Sequence, residues 1–510
     1  MGLPSPPRTG DSASPGPKLY HCGTLVYTRG QLAMLCFWLL WGDFCFVFMQ
    51  NVVPTIMPLK FQALGVSNAT MGLILGSMPP AIHIFLNPVI SFKSDRYRGR
   101  FGRRIPFMLV TLPFIVLCLV ALGHGEEIGY WLHGALGSTL AHYKPKAVAT
   151  TVIEVLLVLF AVLSVIGNTV YWYLFNDVVP EHLLARFMSW FRMVSMGALW
   201  LYSVFVFKYA ATHSEAIFVG AGLLYLAGFG AMCLFVKEGK YPPPPSYLDG
   251  KSGMVAAIKT YGKECHCHRL YWFMFFAAMC GALGVFGTTL GITGNPFMVL
   301  YLKDTGLELD QIGKIAGTSG LVSGLMTLAS GWLADRYHPI RVVIAGQVFQ
   351  CVFVLPALLV WFFWHPSHHA AYIAWMLWSL ALCAPAMALI GVNDPPLLMR
   401  LFPRSRYGQF CSANAMWRAA GGITGGILGG LFLDAMGRNA PVGGRYLWLP
   451  VWQLVFQIPT VIATLLVYIE WKKLGADNYY LPPLHQTQTL DPAQMAAVLD
   501  AEGTAPQDAA

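Results

Sequence analysis

The chain has 510 residues, 56% of them hydrophobic and only 11% charged, where a soluble domain carries about 25% charged residues. Apolar runs of at least ~18 residues recur along the whole length, the mark of repeated membrane spans, and they leave no room for a separate catalytic domain, so no enzyme is expected. The net charge of +9 follows membrane topology, argued below, and does not point to nucleic acid.

In chain order, Met1 to Pro17 is rich in Pro, Gly and Ser and lacks the compact apolar stretch and cleavage site of a signal peptide. Residues 1–30 are therefore expected to be a disordered cytoplasmic lead. Spans are predicted over Gln31–Met57, Thr70–Ser91, Pro106–Gly123, Thr151–Leu174, Arg192–Phe207 and Ala216–Val236, a first half of 31–236. A cytoplasmic central loop, 237–270, follows. Spans over Tyr271–Leu302, Gly313–Leu333, Val342–Trp364, Ala370–Gly391, Cys411–Phe432 and Leu447–Trp471 make a second half of 271–474, before a cytoplasmic tail of 475–510. The predicted fold is an all-α membrane protein of twelve transmembrane helices in two six-helix, pseudo-symmetric halves. The first and seventh runs exceed one bilayer crossing, so they either continue beyond the membrane or break within it. The eleven cysteines are scattered through apolar spans, which predicts no disulfide framework.

Lys and Arg collect in alternate loops. Lys93, Arg96, Arg98, Arg100, Arg103 and Arg104 lie in one and Lys237 to Arg269 spans another, while the loops between hold few. The positive-inside rule then puts both termini and the central loop in the cytoplasm. The two halves also repeat each other. Ser94-Asp95-Arg96-Tyr97 after span two returns as Ala334-Asp335-Arg336-Tyr337 after span eight. Pro180, Arg186-Phe187 and Ser189 after span four return as Pro403, Gln409-Phe410 and Ser412 after span ten. Two such halves around a long loop are a transporter layout with a site between them. Asp95, Arg96, Arg100, Arg103, Arg104, Asp335 and Arg336 are candidate gating residues, because an acid and an arginine at a helix end can latch one state of a rocking molecule.

Ionisable groups inside hydrocarbon are costly and mark a pathway. Asp43 sits in the middle of span one, and Gln50, seven residues on, shares its face; both are candidate substrate contacts, and Asp43 a proton site. His83 and Asn87 in span two stand at i, i+4, and a histidine there can carry a proton. Asn168 and Trp172 in span four pair an amide with an indole face, which suits the hydroxyl rim and C–H face of a sugar. Arg192 opens span five and can fork onto hydroxyls. Arg418 lies inside span eleven among Gly421-Gly422, Gly425-Gly426 and Gly429-Gly430. Its expected partner is Asp43, a charge pair bridging the halves, while the glycines read as close packing. Trp417 beside it and Asn295, in the helix-breaking Gly294-Asn295-Pro296, join the substrate candidates. Asn393-Asp394-Pro395 reads as a cap of span ten first and a relay second. Cys265-His266-Cys267-His268 has ligand types at a spacing too tight for a zinc knuckle, so no metal is expected. The absence of a phosphate-binding loop argues against an ATP-driven pump.

The pattern resembles the major facilitator superfamily over the whole membrane domain. Within it, the chain is similar to the glycoside–pentoside–hexuronide cation symporters, the melibiose permease group, and to sucrose–proton symporters through Ser94-Asp95-Arg96, Arg100-Phe101-Gly102-Arg103-Arg104 and Pro106-Phe107. The resemblance implies sugar contacts at Asp43-Phe44, Asn168 and Arg192, and puts Arg418 near a family Lys. Asn168 stands where the melibiose group has an Asp, and His83 and Asn87 where it has two acids. A sodium ion wants several oxygens, so this departure favours a proton as driving ion and no other cofactor. The expected function is proton-coupled symport of a sugar or glycoside by alternating access. Alternatives are a lysolipid or organic-anion transporter of the same fold and a non-transporting sensor on that scaffold. The expected partners are a small-molecule substrate and the lipid bilayer, with no nucleic acid. The expected setting is the plasma membrane (the inner membrane in a bacterium), as a monomer.

Overall fold

In the computed structural model the described residues are 19–22, 24–140, 142–239, 262–285, 295, 297–304, 306–359, 375, 378, 383–391, 393–403, 407–438, 445–480, 482 and 483. Among them, ten helices are long and apolar enough to cross a membrane. Span one, Arg29–Leu64, is a single 36-residue helix, so the long first run continues past the bilayer. The Thr28 hydroxyl accepts the Gln31 backbone N–H, and the Gln31 side chain returns a bond to the Thr28 N–H, a reciprocal cap that sets where the helix begins. Span seven behaves the other way. A helix over Arg269–Gly284 stops at Val285 and another runs over Met298–Asp304, with 286–294 and 296 outside the described residues.

Span two runs over 68–96, span three over Ile105–Gly123, span four over Pro145–Val178 and span six over Ser214–Phe235. Span five starts at Glu181, earlier than the apolar run, because its first turns are amphipathic and fall outside a hydropathy window. Span eight is Leu309–Tyr337, span nine Pro339–Leu358, span eleven Tyr407–Gly437 and span twelve Leu449–Lys473. Of span ten, 375, 378 and 383–391 are described and helical; the rest of its predicted range lies outside the described residues. Spans two, five and nine each contain a π-helical turn, at Gly72–Ser77, Tyr202–Val206 and Gln350–Val354. Such turns cluster at functional positions in helices.

Within the lead expected over 1–30, two three-residue strands, Tyr20–Cys22 and Leu25–Tyr27, pair antiparallel. Tyr20, Leu25 and Tyr27 pack on the main core, and the Cys22 thiol donates to the Asp177 carbonyl at 3.6 Å. Burial and the neighbouring Asp177 push that thiol above its ordinary range. All eleven cysteines are free thiols.

The arginine-rich loop 97–104 marks one end of the bundle, the basic end. The two halves meet along two glycine-lined seams toward the opposite, far end. In the first, a Cβ added to Gly72 of span two would lie 2.0 Å from the Gly426 carbonyl oxygen of span eleven, and one on Gly430 would lie 2.2 Å from the Asn68 carbonyl oxygen. In the second, a Cβ on Gly313 of span eight would lie 2.1 Å from the Ser203 carbonyl oxygen of span five. Backbone touches backbone across the halves, which glycine alone permits.

Candidate functional site

Asp43 is the buried polar centre of the first half. It is 1% exposed, and its Oδ2 accepts the Ser195 hydroxyl of span five at 2.5 Å. The same hydroxyl lies 2.9 Å from the Phe191 carbonyl. Arg192, one turn before Ser195, has an exposed side chain and acts on Asp43 through its charge. Gln50 is exposed although it shares the helix face of Asp43.

The expected Asp43–Arg418 pair does not form. Arg418 donates from Nη2 to Asp394 Oδ2 at 2.5 Å, and Asp394 opens the short helix Asp394–Leu401 that follows span ten. A counter-ion on an adjacent element of its own half meets the arginine first.

His83 and Asn87 do come together. Asn87 Nδ2 donates to His83 Nδ1 at 3.3 Å, and the Thr169 hydroxyl of span four donates to Asn87 Oδ1 at 2.7 Å. The chain of bonds ties span two to span four. Asn168 and Trp172 also meet: the indole N–H donates to Asn168 Oδ1 at 3.1 Å. Trp172 packs edge-on against Phe175 and Phe191, 5.8 and 5.3 Å between ring centres, and remains 42% exposed.

Trp417 is not with them. Its Nε1 donates to His266 Nε2 at 3.0 Å, next to Trp272 at the start of span seven. One residue before Arg418, the helix faces its own half. Around it, Cys265–His268 diverge in their partners. Cys265 donates to the Gln409 carbonyl, Cys267 to the Pro483 carbonyl, and His268 caps Leu270.

At the basic end, Arg103 and Arg104 both fork onto Asp177 at the end of span four, Arg103 through Nη2 and through Nε at 2.9 Å and Arg104 through Nε at 3.2 Å. Arg104 also lies over the Tyr173 ring at 4.9 Å. Glu238, just beyond span six, accepts the backbone N–H groups of Arg103, Arg104 and Ile105 at 2.9, 2.8 and 2.7 Å. Sequence reading found the arginines and missed both acids. Arg100 is exposed, and Arg336 lies over Trp332 and Tyr337. The side chains of Asp95, Arg96 and Asp335 lie outside the described residues.

The second half holds a cavity of about 190 Å³. Asn295, Ser319, Ser323, Gln350, Gln453 and Gln457 give it its polar groups, and Met196 and Leu199 of span five close the side toward the first half. Of these polar residues only Asn295 was singled out from sequence. The others come from spans eight, nine and twelve, and a scatter of amides has no linear signature beyond the i, i+4 spacing of Gln453 and Gln457.

Solved structures match this arrangement over most of the chain. A D-xylose-proton symporter aligns with a TM-score of 0.58 at 14% identity, covering 86% of this chain and 97% of that one. A bacterial homologue of the iron transporter ferroportin aligns at 0.57 and 14% identity, covering 86% and 99%. At such identity the likeness is one of fold alone. By sequence, solute carrier family 45 member 3 of Mus musculus is 28% identical over 229 residues, 42% of this chain and 38% of that protein. Sucrose transport protein SUC4 of Arabidopsis thaliana is 29% identical over 107 residues, 21% and 19%. The chain thus spans well under half the length of these relatives. The Major Facilitator Superfamily model matches residues 281–473.

The helices, the two packed halves and the structural likeness define a multi-pass α-helical membrane protein of the twelve-helix transporter architecture. The stretch 281–473 is similar to the Major Facilitator Superfamily, and the likeness to sucrose transporters read from the sequence is borne out by the relatives.

Proposed function

We propose that the protein is a secondary active transporter that couples proton movement to symport of a sugar or glycoside by alternating access. One observation carries the reading: Asp43, a carboxylate buried deep in a span, is held by a neutral hydroxyl on a neighbouring span. A buried acid kept in this way is a proton site by default, since its ionised form needs compensation that the Ser195 hydroxyl supplies only in part. Protonation changes its bond to span five and so the packing of spans one and five, which is how a local charge biases a two-state bundle. The His83–Asn87–Thr169 chain supports the proton over sodium: it holds one amide, one hydroxyl and one imidazole and no carboxylate, whereas a hard cation is held by several oxygens, carboxylates among them. A sucrose transporter and a D-xylose-proton symporter among the similar proteins support a sugar as cargo.

The positive-inside rule puts the basic end in the cytoplasm, with both termini there. On this reading the protein sits in the plasma membrane, and the seams near the far end correspond to an inward-facing state. The test is sugar uptake into vesicles under an imposed pH gradient, acid outside. The native protein accumulates sugar above the bath concentration, while Asp43→Asn and Ser195→Ala equilibrate it without accumulation. Uphill uptake by Asp43→Asn overturns the proton mechanism.

A further inference from the structure

The second-half cavity has a chemistry that the candidates of the first half do not share. Four carboxamides and two hydroxyls line it, and no described lining residue is charged. Each amide offers a donor and an acceptor, as does each sugar hydroxyl. Asn295 is 3% exposed. Its Oδ1 accepts the Phe297 backbone N–H at 2.9 Å, while its Nδ2 is buried with no hydrogen-bond partner among the described residues. An orphaned buried donor costs free energy unless a ligand satisfies it. The π-helical turn Gln350–Val354 places Gln350 in the same lining. Met196, Met298 and Leu355 supply apolar contacts, which suit the C–H face of a sugar ring. A charged solute meets no counter-ion among these residues and loses its hydration. At about 190 Å³ the cavity is smaller than the ~300–1,000 Å³ of drug-sized ligand sites.

We propose that this cavity is the seat of one uncharged sugar ring, held by Asn295, Gln350, Gln453 and Gln457, with its hydroxyls in place of solvent on the amides. The ring is either a free monosaccharide or the terminal ring of a glycoside whose remainder extends toward Trp172. The inference rests on the transport reading for its purpose, but binding at equilibrium needs no gradient, so the two fail separately.

The experiment is equilibrium binding to the full-length protein in detergent, read by calorimetry, with D-glucose, sucrose and D-glucuronate as probes. D-glucose or sucrose binds and D-glucuronate does not; the first alone means a monosaccharide seat, the second a glycoside seat. Asn295→Ala, Gln350→Ala and the double variant Gln453→Ala/Gln457→Ala each weaken binding about tenfold or more, one lost neutral hydrogen bond with its partner left buried. Retained melting temperature and a monodisperse elution profile show that a weakened variant is folded; should the double variant misfold, Gln350→Ala and Gln457→Leu read the same contact. Unchanged affinity in folded amide variants, binding of D-glucuronate in preference to D-glucose, or no binding of either neutral sugar overturns the assignment. If amide variants bind normally while the pH-driven uptake stands, the sugar sits elsewhere and the transport reading survives.

Discussion

Asp434, near the far end of span eleven, grips the start of span two through Asn68. Its Oδ1 accepts the Asn68 backbone N–H at 3.1 Å and the Asn68 side-chain amide at 2.8 Å, and its Oδ2 accepts the Ala69 N–H at 2.9 Å. Tyr446 completes the contact by donating to Asn68 Oδ1 at 2.7 Å. A carboxylate from one half thus caps a helix N-terminus of the other, where free N–H groups and the helix dipole both favour it. Losing a charged acceptor of this kind costs about 2 kcal/mol, roughly a thirtyfold change in a two-state ratio. Asp434→Ala therefore shifts the population toward opening at the far end, and Asp434→Asn, which keeps one acceptor, shifts it less. Spin labels on the exposed Ala63 and Arg438, measured by double electron–electron resonance, move apart in the first variant and partly in the second. An unchanged distance distribution would sink the latch.

The glycine seam beside this latch makes a sterically sharper prediction. A methyl group on Gly72 would sit 2.0 Å from the Gly426 carbonyl oxygen, a backbone atom with nowhere to go. Gly72→Ala is thus expected to hold the halves apart at the far end while each half stays folded. Sugar uptake falls at least about tenfold, since alternation needs both closed ends, and the Ala63–Arg438 distance lengthens as in Asp434→Ala. Gly134→Ala, whose Cβ would meet nothing within 4 Å, is the control and leaves both readings unchanged.

What could be read from the sequence follows from what each signal encodes. Apolar runs report depth in a membrane, so the spans and the two halves were legible. They do not report azimuth: Arg418 and Asp43 are each buried in the pattern, but which neighbour they face depends on helix rotation, and Arg418 turns to Asp394. Pairs four residues apart on one helix carry their own geometry, which is why Asn168–Trp172 and His83–Asn87 were found. The amides and hydroxyls of the second-half cavity converge from spans seven, eight, nine and twelve, and no local spacing announces that. The hairpin at Tyr20–Tyr27 escaped because two three-residue strands are too short for an alternating pattern to register.

Glu238 is the clasp of the basic end. It satisfies three consecutive backbone N–H groups at the start of span three, and Gly102, at φ +107°, lets the chain turn close to it, since a Cβ there would lie 2.5 Å from the Glu238 carboxyl carbon. Removing one charged acceptor for three amides exposes them to exchange at an expected cost of about 1–3 kcal/mol. In hydrogen–deuterium exchange, Glu238→Ala accelerates the amides of Arg103, Arg104 and Ile105 by about tenfold or more, with the Glu126–Tyr130 segment unchanged. Equal rates in the variant and the native protein would remove Glu238 from this role.

His338 predicts how the second half responds to acid. It joins spans eight and nine at φ +71°, accepts the Ile340 N–H on Nδ1 at 3.3 Å and stacks on Trp471 at 4.4 Å between ring centres. Burial, then the charges of Arg400 and Arg341, lower its pKa to about 4, and Asp477 opposes them. The native state therefore keeps the ring neutral at a pH where the unfolded chain, near the ordinary value of about 6.5, takes up a proton. The sign follows: stability is unaffected above about pH 6.5 and declines as the pH falls toward 4, at up to about 1.4 kcal/mol per pH unit. The Asn side chain can accept the same N–H and does not titrate, so His338→Asn keeps the cap and loses the titration. Melting temperatures between pH 7 and 4.5 are expected to fall more steeply for the native protein than for His338→Asn, with the two curves converging above pH 6.5. Parallel curves across that range would show that the acid response of the second half lies in other groups.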